Sequence, residues 1–188
     1  MRLLNTVFLG EQETYTGEQL RSHWAYEVSS LEGDCAVAFI APCDVKREHM
    51  KDMEDLVAGS RIYSEKMLHF IVEHFDSPLT ETVWRQRALM ALMAEELNLH
   101  VVGAGVRREG SDLYDGERKL TVSIASASPV STLIHAGINI SSRNTPVPAR
   151  GLEDYGIAPE KFAMSILARY AAECGNAWRA RCKVRPCD

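Results

Sequence analysis

A lysine, a serine, a histidine and an asparagine are predicted to share one face of two neighbouring strands. Lys119 and Ser123 alternate with apolar residues in the first strand, and His135 and Asn139 do so in the second. Such a group offers an ammonium charge, an imidazole that titrates near neutral pH and further hydrogen-bonding groups. This chemistry suits the binding of a small polar or anionic molecule. Solvated or hydrogen-bonded structural roles explain the same residue types, and both interpretations stay open.

Three arginines and one glycine are further candidates for holding a substrate or a nucleotide. Arg107 and Arg108 precede the first of these strands, and Arg21 lies in a polar loop near the N-terminus. A guanidinium group binds phosphate or carboxylate through paired hydrogen bonds, although exposed charges explain these residues equally well. Gly17, in the same loop as Arg21, would let the backbone approach a ligand.

The remaining histidines and cysteines do not form a metal-site pattern. His69 and His74 are five residues apart, so on a strand their side chains face opposite sides. If that segment were a helix, Glu65 and His69 would share a face, but they make only two ligands. The C-terminal cysteines lack a CxxC pair. We therefore expect no bound metal ion.

The hairpin that carries Lys119 has the clearest sequence signal. Residues 112–125 place Asp115 and Gly116 between two short runs, and an Asp-Gly pair supplies the positive φ of a tight turn. Three residues of the second arm are predicted to face the core: Leu120, Val122 and Ile124. The whole of residues 112–140 is predicted to form adjacent strands of one sheet.

Other elements are predicted to complete one domain over residues 1–188. Hydrophobic patterns predict a first strand at 33–41, a helix at 45–57, a strand at 67–75, a helix at 78–97, a strand at 133–140, a loop at 141–158 and a final helix from Pro159. Gly59 is expected to end the first helix. Ser77 is expected to cap the second, with Pro78 at its first position.

Two segments resemble known sequence signatures. Residues 112–124, DLYDGERKLTVSI, resemble the signature of biotin protein ligases, in which an NDLY strand turns through glycine into GRKLGGIL. Residues 137–140, GINI, resemble the GIGINV strand that follows in that family. Residues 13–24 stand where those ligases carry QTxGRGRxGRxW, but most of the glycines and arginines are missing. In its ordering the chain also resembles an uncharacterised stand-alone family of archaeal and bacterial proteins with this ligase-like fold.

The resemblance implies both a fold and a site. The fold is α+β, with a mixed, largely antiparallel sheet backed by helices, as in the catalytic domain of biotin and lipoate protein ligases. Lys119 matches a catalytic lysine that contacts the carboxylate of the acid and the α-phosphate of ATP, where its charge stabilises the transition state of adenylate formation. Asp112 and Asn139 match residues of the same motifs. The implied cofactor is ATP, and the implied partners are a small carboxylate or nucleotide and a protein acceptor.

The resulting leading hypothesis is a carboxylate-activating, ATP-dependent ligase or acyltransferase that acts through an adenylate. The altered loop at residues 13–24 counts against adenylation, because in the ligases it shields the adenylate from water. The alternative is a non-catalytic binding protein for a small acid or nucleotide. An acyltransferase of the octanoyl type needs no ATP, but none of the five cysteines lies in a motif for its nucleophile.

Composition and charge exclude several broad classes. Hydrophobic residues make up 46% and charged residues 25%, as in folded globular proteins. A net charge of -5 gives no overall basic field, so nucleic acid is not an expected partner. The N-terminus turns polar too early for a signal peptide, and no stretch reaches the length of a membrane span. We expect a cytoplasmic protein with free thiols and no membrane contact, and its many apolar positions lead us to expect a homodimer.

Overall fold

A five-stranded sheet organises the structure, a computed structural model that describes residues 4–75, 77–100 and 105–187. The strands of the described residues are β1 (Asn5–Glu11), β2 (Cys35–Asp44), β3 (Tyr63–His74), β4 (Arg107–Glu109), β5 (Asp112–Asp115), β6 (Arg118–Lys119), β7 (Thr121–Ala127) and β8 (Thr132–Asn139). The large sheet has the order β1-β2-β3-β8-β7. Its neighbouring strands are antiparallel except for β1 and β2. The prediction of a mixed, largely antiparallel sheet is confirmed.

A second, small sheet carries the predicted hairpin. Its order is β4-β5-β6, and both pairs are antiparallel. A single residue, Leu120, joins it to the large sheet. The Leu120 amide donates to the carbonyl of Leu113 in β5, and its carbonyl accepts from the amide of Asn139 in β8, both at 2.9 Å. Leu120 thus belongs to the hydrogen-bond pattern of both sheets.

Four α-helices of the described residues accompany the large sheet, and the two long ones, near the middle and the end of the chain, cover one of its faces. They are α1 (Trp24–Ser29), α2 (Met53–Ala58), α3 (Leu79–Asn98) and α4 (Pro159–Cys182), with two 3-10 helices at Arg47–His49 and Leu152–Tyr155. The helix α3 packs on β7 and β8, and α4 packs on β1 and β2. None of the helices within the described ranges has the length and apolar character required to cross a membrane.

The central strands bury side chains on both faces. In β3, Leu68, Phe70 and Val72 belong to the core beneath α3 and α4, whereas Met67 and Ile71 belong to a second core on the opposite face. The segment 12–31, which includes α1, covers this second core. A strand that is buried on both sides reads as a continuous apolar run, which is why residues 67–75 were recognisable as a strand without alternation.

Several predicted elements are confirmed. The strands predicted at 33–41 and 67–75 are present as Cys35–Asp44 and Tyr63–His74, a helix covers almost all of 78–97, and the helix α4 starts at Pro159. Gly59 ends α2 with a φ of 68°. The strand at 33–41 is not the first, however, because the short β1 precedes it. Pro78 is the N-cap of α3 and not its first residue, so Ser77 lies outside the helix.

The predicted helix at 45–57 is wrong in extent. The segment forms a three-residue 3-10 helix, an extended Met50, and then the six-residue α2. Asp52 explains the late start, because its carboxylate accepts from the amides of Glu54 and Asp55 and so caps a helix that begins at Met53. The apolar spacing is helical, but the cap decides where the helix begins.

The prediction of one sheet over residues 112–140 is also wrong in part. The predicted tight turn is present but lies one residue later, at Gly116-Glu117, because Asp115 still pairs with Arg118; the φ of Gly116 is 57°. The chain changes sheets at Leu120, however, and this change reverses the alternation. Leu120 packs beneath the helices, whereas Val122 and Ile124 pack against the opposite core.

Candidate functional site

A cavity of about 90 Å³ lies on the face of the large sheet that faces away from α3 and α4. Its walls come from both sheets, from the loop around Gly17 and from the segment 45–55. We call it the lysine–histidine cavity, after Lys119 and His135, which both line it. Five of the residues predicted from the sequence line it: Gly17, Asp112, Lys119, Ser123 and His135.

Lys119 is held at this cavity by an ion pair. Its Nζ lies 2.8 Å from Oδ2 of Asp112, with 29% and 18% of the two side chains exposed. Burial raises the pKa of Asp112 against the opposing effect of Lys119. Burial lowers the pKa of Lys119, but the charge and hydrogen bond of Asp112 outweigh it and the pKa is raised. The lysine is therefore a fixed ammonium, and only one of its three N–H groups has a partner among the described residues.

His135 lines the inner wall, and the buried His69 is hydrogen-bonded to it. Nδ1 of His69 lies 3.0 Å from Nε2 of His135, and Nε2 of His69 lies 3.3 Å from the carbonyl oxygen of Ala41. Burial lowers the pKa of His69 to about 3 and that of His135 well below its ordinary value, so both rings are neutral. A carbonyl only accepts, so His69 donates from Nε2, and its Nδ1 must accept from Nε2 of His135.

This direction leaves a lone pair at the cavity. Nδ1 of His135 carries no proton in the tautomer that the chain of hydrogen bonds requires. It has no hydrogen-bond partner in the described part of the chain, where no polar side-chain atom is both fully buried and unpaired. The lone pair of His135 therefore opens into the space that this residue lines.

Tyr15 completes the inner wall. Its ring stacks on His135 with the centroids 4.1 Å apart and the planes inclined by 13°. Burial, with a contribution from Cys43, raises the pKa of Tyr15, so the side chain stays a neutral phenol. Burial also raises the pKa of the Cys43 thiol to about 12, which makes this cysteine a poor nucleophile. No cysteine of the described ranges lines the cavity.

Gly17 sets the position of the outer wall. Its φ is 90°, which favours glycine, and a Cβ atom there would lie 2.9 Å from Cβ of His49 and 3.1 Å from Cγ1 of Val45. The loop can pack this closely on the segment 45–55 only because the position has no side chain. Gly17 thus serves the shape of the cavity through backbone geometry.

The other predicted residues lie elsewhere or are turned away. Arg21 pairs with Glu27. Arg107 donates to Glu109 and to the carbonyl of Gly116, and Arg108 donates to the carbonyl of Gly110. Asn139 donates to the carbonyl of Arg150. Ser123 borders the cavity, but its hydroxyl accepts from Gln86 on α3 and donates to the carbonyl of Ser111, so it is not on the face of His135.

The sequence patterns do not predict two residues that contact His135. His69 was considered only as a metal ligand, and its partner became visible only when the strand pairing placed Ile71 opposite His135. Tyr15 lies in residues 13–24, where the likeness to the ligase signature is weak and does not single out this side chain. Among the described residues, no three histidine, cysteine or acidic side chains are grouped so that they could hold a metal ion.

The charges at the cavity are nearly balanced. Two lysines, Lys51 and Lys119, line it with three aspartates, Asp52, Asp55 and Asp112. The ring nitrogens of His135 are neutral. The formal charges of these lysines and aspartates sum to -1, so a carboxylate would be held by the ammonium of Lys119 itself and not by an overall positive field, and the lining lacks the several cations that usually surround a triphosphate.

Comparisons with other proteins identify relatives that are similar to this chain in sequence and in structure. An uncharacterised protein of Methanocaldococcus jannaschii is 32% identical over 189 residues, covering 97% of this chain and 85% of that protein. A solved structure of a protein of unknown function from Pyrococcus horikoshi is 34% identical, with a TM-score of 0.91 over 98% of this chain and all of that one.

Biotin and lipoate ligases share the fold of this chain but are less similar to it in sequence. A mutant of biotin protein ligase from Aquifex aeolicus, in complex with biotin, matches with a TM-score of 0.59 and 16% identity, over 91% of this chain and 70% of that one. A putative lipoate protein ligase from T. acidophilum with bound lipoic acid matches with a TM-score of 0.58 and 14% identity, over 91% and 85%. The predicted ligase-like fold is confirmed. The family model described as "Domain of unknown function (DUF366)" matches residues 4–185, and the chain belongs to that family.

Proposed function

We propose that the protein binds a small organic carboxylic acid in the lysine–histidine cavity, with the carboxylate on Lys119. The observation that carries this proposal is the fixed ammonium of Lys119, which has N–H groups left over at the cavity. A charge-assisted hydrogen bond to a carboxylate is among the stronger polar contacts in proteins. Asp112 holds the lysine in place before the ligand arrives.

The structural neighbours support a carboxylic acid as the ligand. Two of them are described with biotin and with lipoic acid bound, and both ligands are carboxylic acids. The cavity of this chain is small, however. Its volume of about 90 Å³ is below the range of roughly 300–1,000 Å³ that is usual for drug-sized ligands. The acid is therefore short, unless the segment 45–55 moves outwards.

Activation of the acid by ATP is the second candidate. The supporting observations are the ligase-like fold and two neighbours described with ATP bound, a biotin protein ligase and lipoate-protein ligase A. In this reaction the carboxylate attacks the α-phosphate and pyrophosphate leaves, and Lys119 stabilises the growing negative charge. Arg107 and Arg108 would have to leave their present partners to help hold the phosphates. Acid binding alone requires no such rearrangement, so it is the function that the geometry favours.

Two measurements test the proposal and separate its two forms. A thermal-shift screen compares short carboxylic acids with biotin, lipoate, octanoate, ATP and GTP, because a ligand of the native state raises the melting temperature. We expect a short acid to stabilise the wild type and to have no effect on Lys119→Met. Acid-dependent exchange of labelled pyrophosphate into ATP then reports activation. Exchange would support the ligase reaction, and stabilisation without exchange would favour a binding protein. The absence of any stabilising acid would refute both.

A further inference from the structure

We infer that the inner end of the lysine–histidine cavity accepts a neutral hydrogen-bond donor, so that the ligand is a short carboxylic acid with a hydroxyl group at its far end. This inference rests on the proposed function, because it takes the carboxylate to lie on Lys119. It adds the chemistry of the opposite end of the ligand.

The acceptor at the inner end is fixed by a chain of three groups. The carbonyl of Ala41 accepts from Nε2 of His69, and Nδ1 of His69 accepts from Nε2 of His135. Reversing the chain would turn a lone pair of His69 towards the carbonyl oxygen, so that two acceptors faced each other in a dry environment. The backbone of β2 thus determines, through His69, that His135 presents Nδ1 as an acceptor.

The surroundings keep this acceptor neutral and rigid. His69 is fully buried, and 4% of His135 is exposed. Tyr15 stacks on one side of His135, which prevents the ring from turning. Since the hydroxyl of Tyr15 can donate or accept, it does not discriminate between ligands. The lone pair of His135 discriminates, because only a donor satisfies it.

The size of the cavity and the burial of its inner end restrict the chemical class of the ligand further. A volume of about 90 Å³ lies below the range of roughly 300–1,000 Å³ that is usual for drug-sized ligands, which restricts the ligand to a short acid. An ammonium group at the far end would have to lose its hydration beside a neutral imidazole, and burying a charge without an opposite partner is unfavourable. A hydroxyl group avoids this cost and still donates.

Matched pairs of acids test the inference on the wild-type protein. Calorimetry at pH 7.5 compares glycolate with acetate, 3-hydroxypropionate with propionate, and 4-hydroxybutyrate with butyrate, together with the corresponding ω-amino acids. One hydroxy acid is expected to bind roughly tenfold or more tightly than its unsubstituted partner, because the partner leaves the acceptor unsatisfied. The ω-amino acid of that length is expected to bind more weakly than the hydroxy acid.

Two further measurements test whether the preference for the hydroxy acid arises at Nδ1 of His135. His135→Phe keeps a ring against Tyr15 but removes the acceptor, and it should make the two members of the pair bind equally. Nitrogen-15 NMR of histidine-labelled wild type gives the same information without a mutation, since Nδ1 of His135 should shift when the hydroxy acid binds and not when its partner binds. Equal affinity within every pair, or a preference with no shift at His135, would overturn the inference and leave the proposed function standing. Failure of all the acids to bind would overturn both.

Discussion

Nζ of Lys119 and Oδ2 of Asp112 lie 2.8 Å apart in the small sheet, at the edge of a cavity whose inner wall belongs to the large sheet. The pair therefore fixes a positive charge on one side of a space that ends, on the other side, at the neutral His135. Because the two groups lie on different sides of the cavity, substitutions of Lys119 and of His135 should each change a different contact with the ligand.

Replacing Lys119 by methionine should weaken acid binding by about 10- to 100-fold, because one charge-assisted hydrogen bond contributes about 1.5–3 kcal/mol. If the protein activates its acid, the exchange of pyrophosphate should also slow by roughly a hundredfold or more. Calorimetry and the exchange assay measure these effects. Lys161→Met is the matched control, since Lys161 is exposed on α4. Equal losses in the two variants would contradict the role of Lys119.

The buried histidines should make the protein less stable in mild acid. Both rings are neutral in the folded state, with their pKa values lowered by burial, whereas in the unfolded chain they are protonated below about pH 6.5. Their contribution to stability is therefore complete above pH 6.5 and is lost as the pH falls below it. Each histidine should contribute a slope of about 1.4 kcal/mol per pH unit once its unfolded form is fully charged.

Urea unfolding between pH 4.5 and pH 7.5 measures this slope. The variant His69→Gln should reduce this slope by up to about 1.4 kcal/mol per pH unit, which corresponds to the uptake of one proton on unfolding. The variant His49→Gln, at a less buried position, serves as the control. Carboxylates that titrate in the same range contribute to all three proteins and cancel in the comparison. Parallel curves for the wild type and His69→Gln would show that His69 is not held neutral.

Alanine substitutions at two glycines with positive φ distinguish the cost of backbone strain from the cost of a steric contact. Gly17→Ala places a Cβ atom 2.9 Å from His49, whereas Gly33→Ala, with a φ of 77°, meets nothing within 4 Å. Both variants incur the cost of the left-handed conformation, about 1 kcal/mol. Gly17→Ala should be less stable than Gly33→Ala by a further 1 kcal/mol or so, in the range for overpacking. It should also bind the acid more weakly, because the outer wall is displaced. Unfolding and calorimetry measure the two effects, and identical behaviour would contradict them.

Self-association is a further prediction, made from the apolar composition of the chain. A sheet edge is one route, because β1 and β7 are the outer strands of the large sheet. Light scattering at tens of micromolar should give about twice the chain mass of 21.0 kDa. A mass that stays at one chain over this range would exclude a stable homodimer.

The sequence was most informative where the signal was local. The tight turn that contains Gly116, the strand at 67–75 and the start of α4 at Pro159 each depend on residues that are close together in the chain, and all three are present. The motif around Lys119 also led to a residue at the cavity. These features need no knowledge of the pairing between distant strands.

The inner wall could not be predicted in the same way. The contact between His69 and His135 joins residues 66 positions apart, and it depends on the register of β3 and β8. The face of Val122 depends on the change of sheet at Leu120, which interrupts an alternation that the sequence presents as continuous. The three arginines were plausible anion ligands by type, but their acidic and carbonyl partners turn them away.

Leu120 also bears on how the cavity could respond to a ligand. The two hydrogen bonds of its backbone connect the small sheet, which carries Lys119, to the large sheet, which carries His135. Side-chain hydrogen bonds, from the amide of Leu113 to Oγ1 of Thr121 and from Oγ of Ser123 to the carbonyl of Ser111, reinforce this joint. A ligand that needs a longer distance between the ammonium and the imidazole would therefore have to strain these bonds as well as those of Leu120. Ligands of increasing length should progressively turn one sheet against the other, and the amides of Leu120 and Asn139 should report this movement by faster hydrogen exchange.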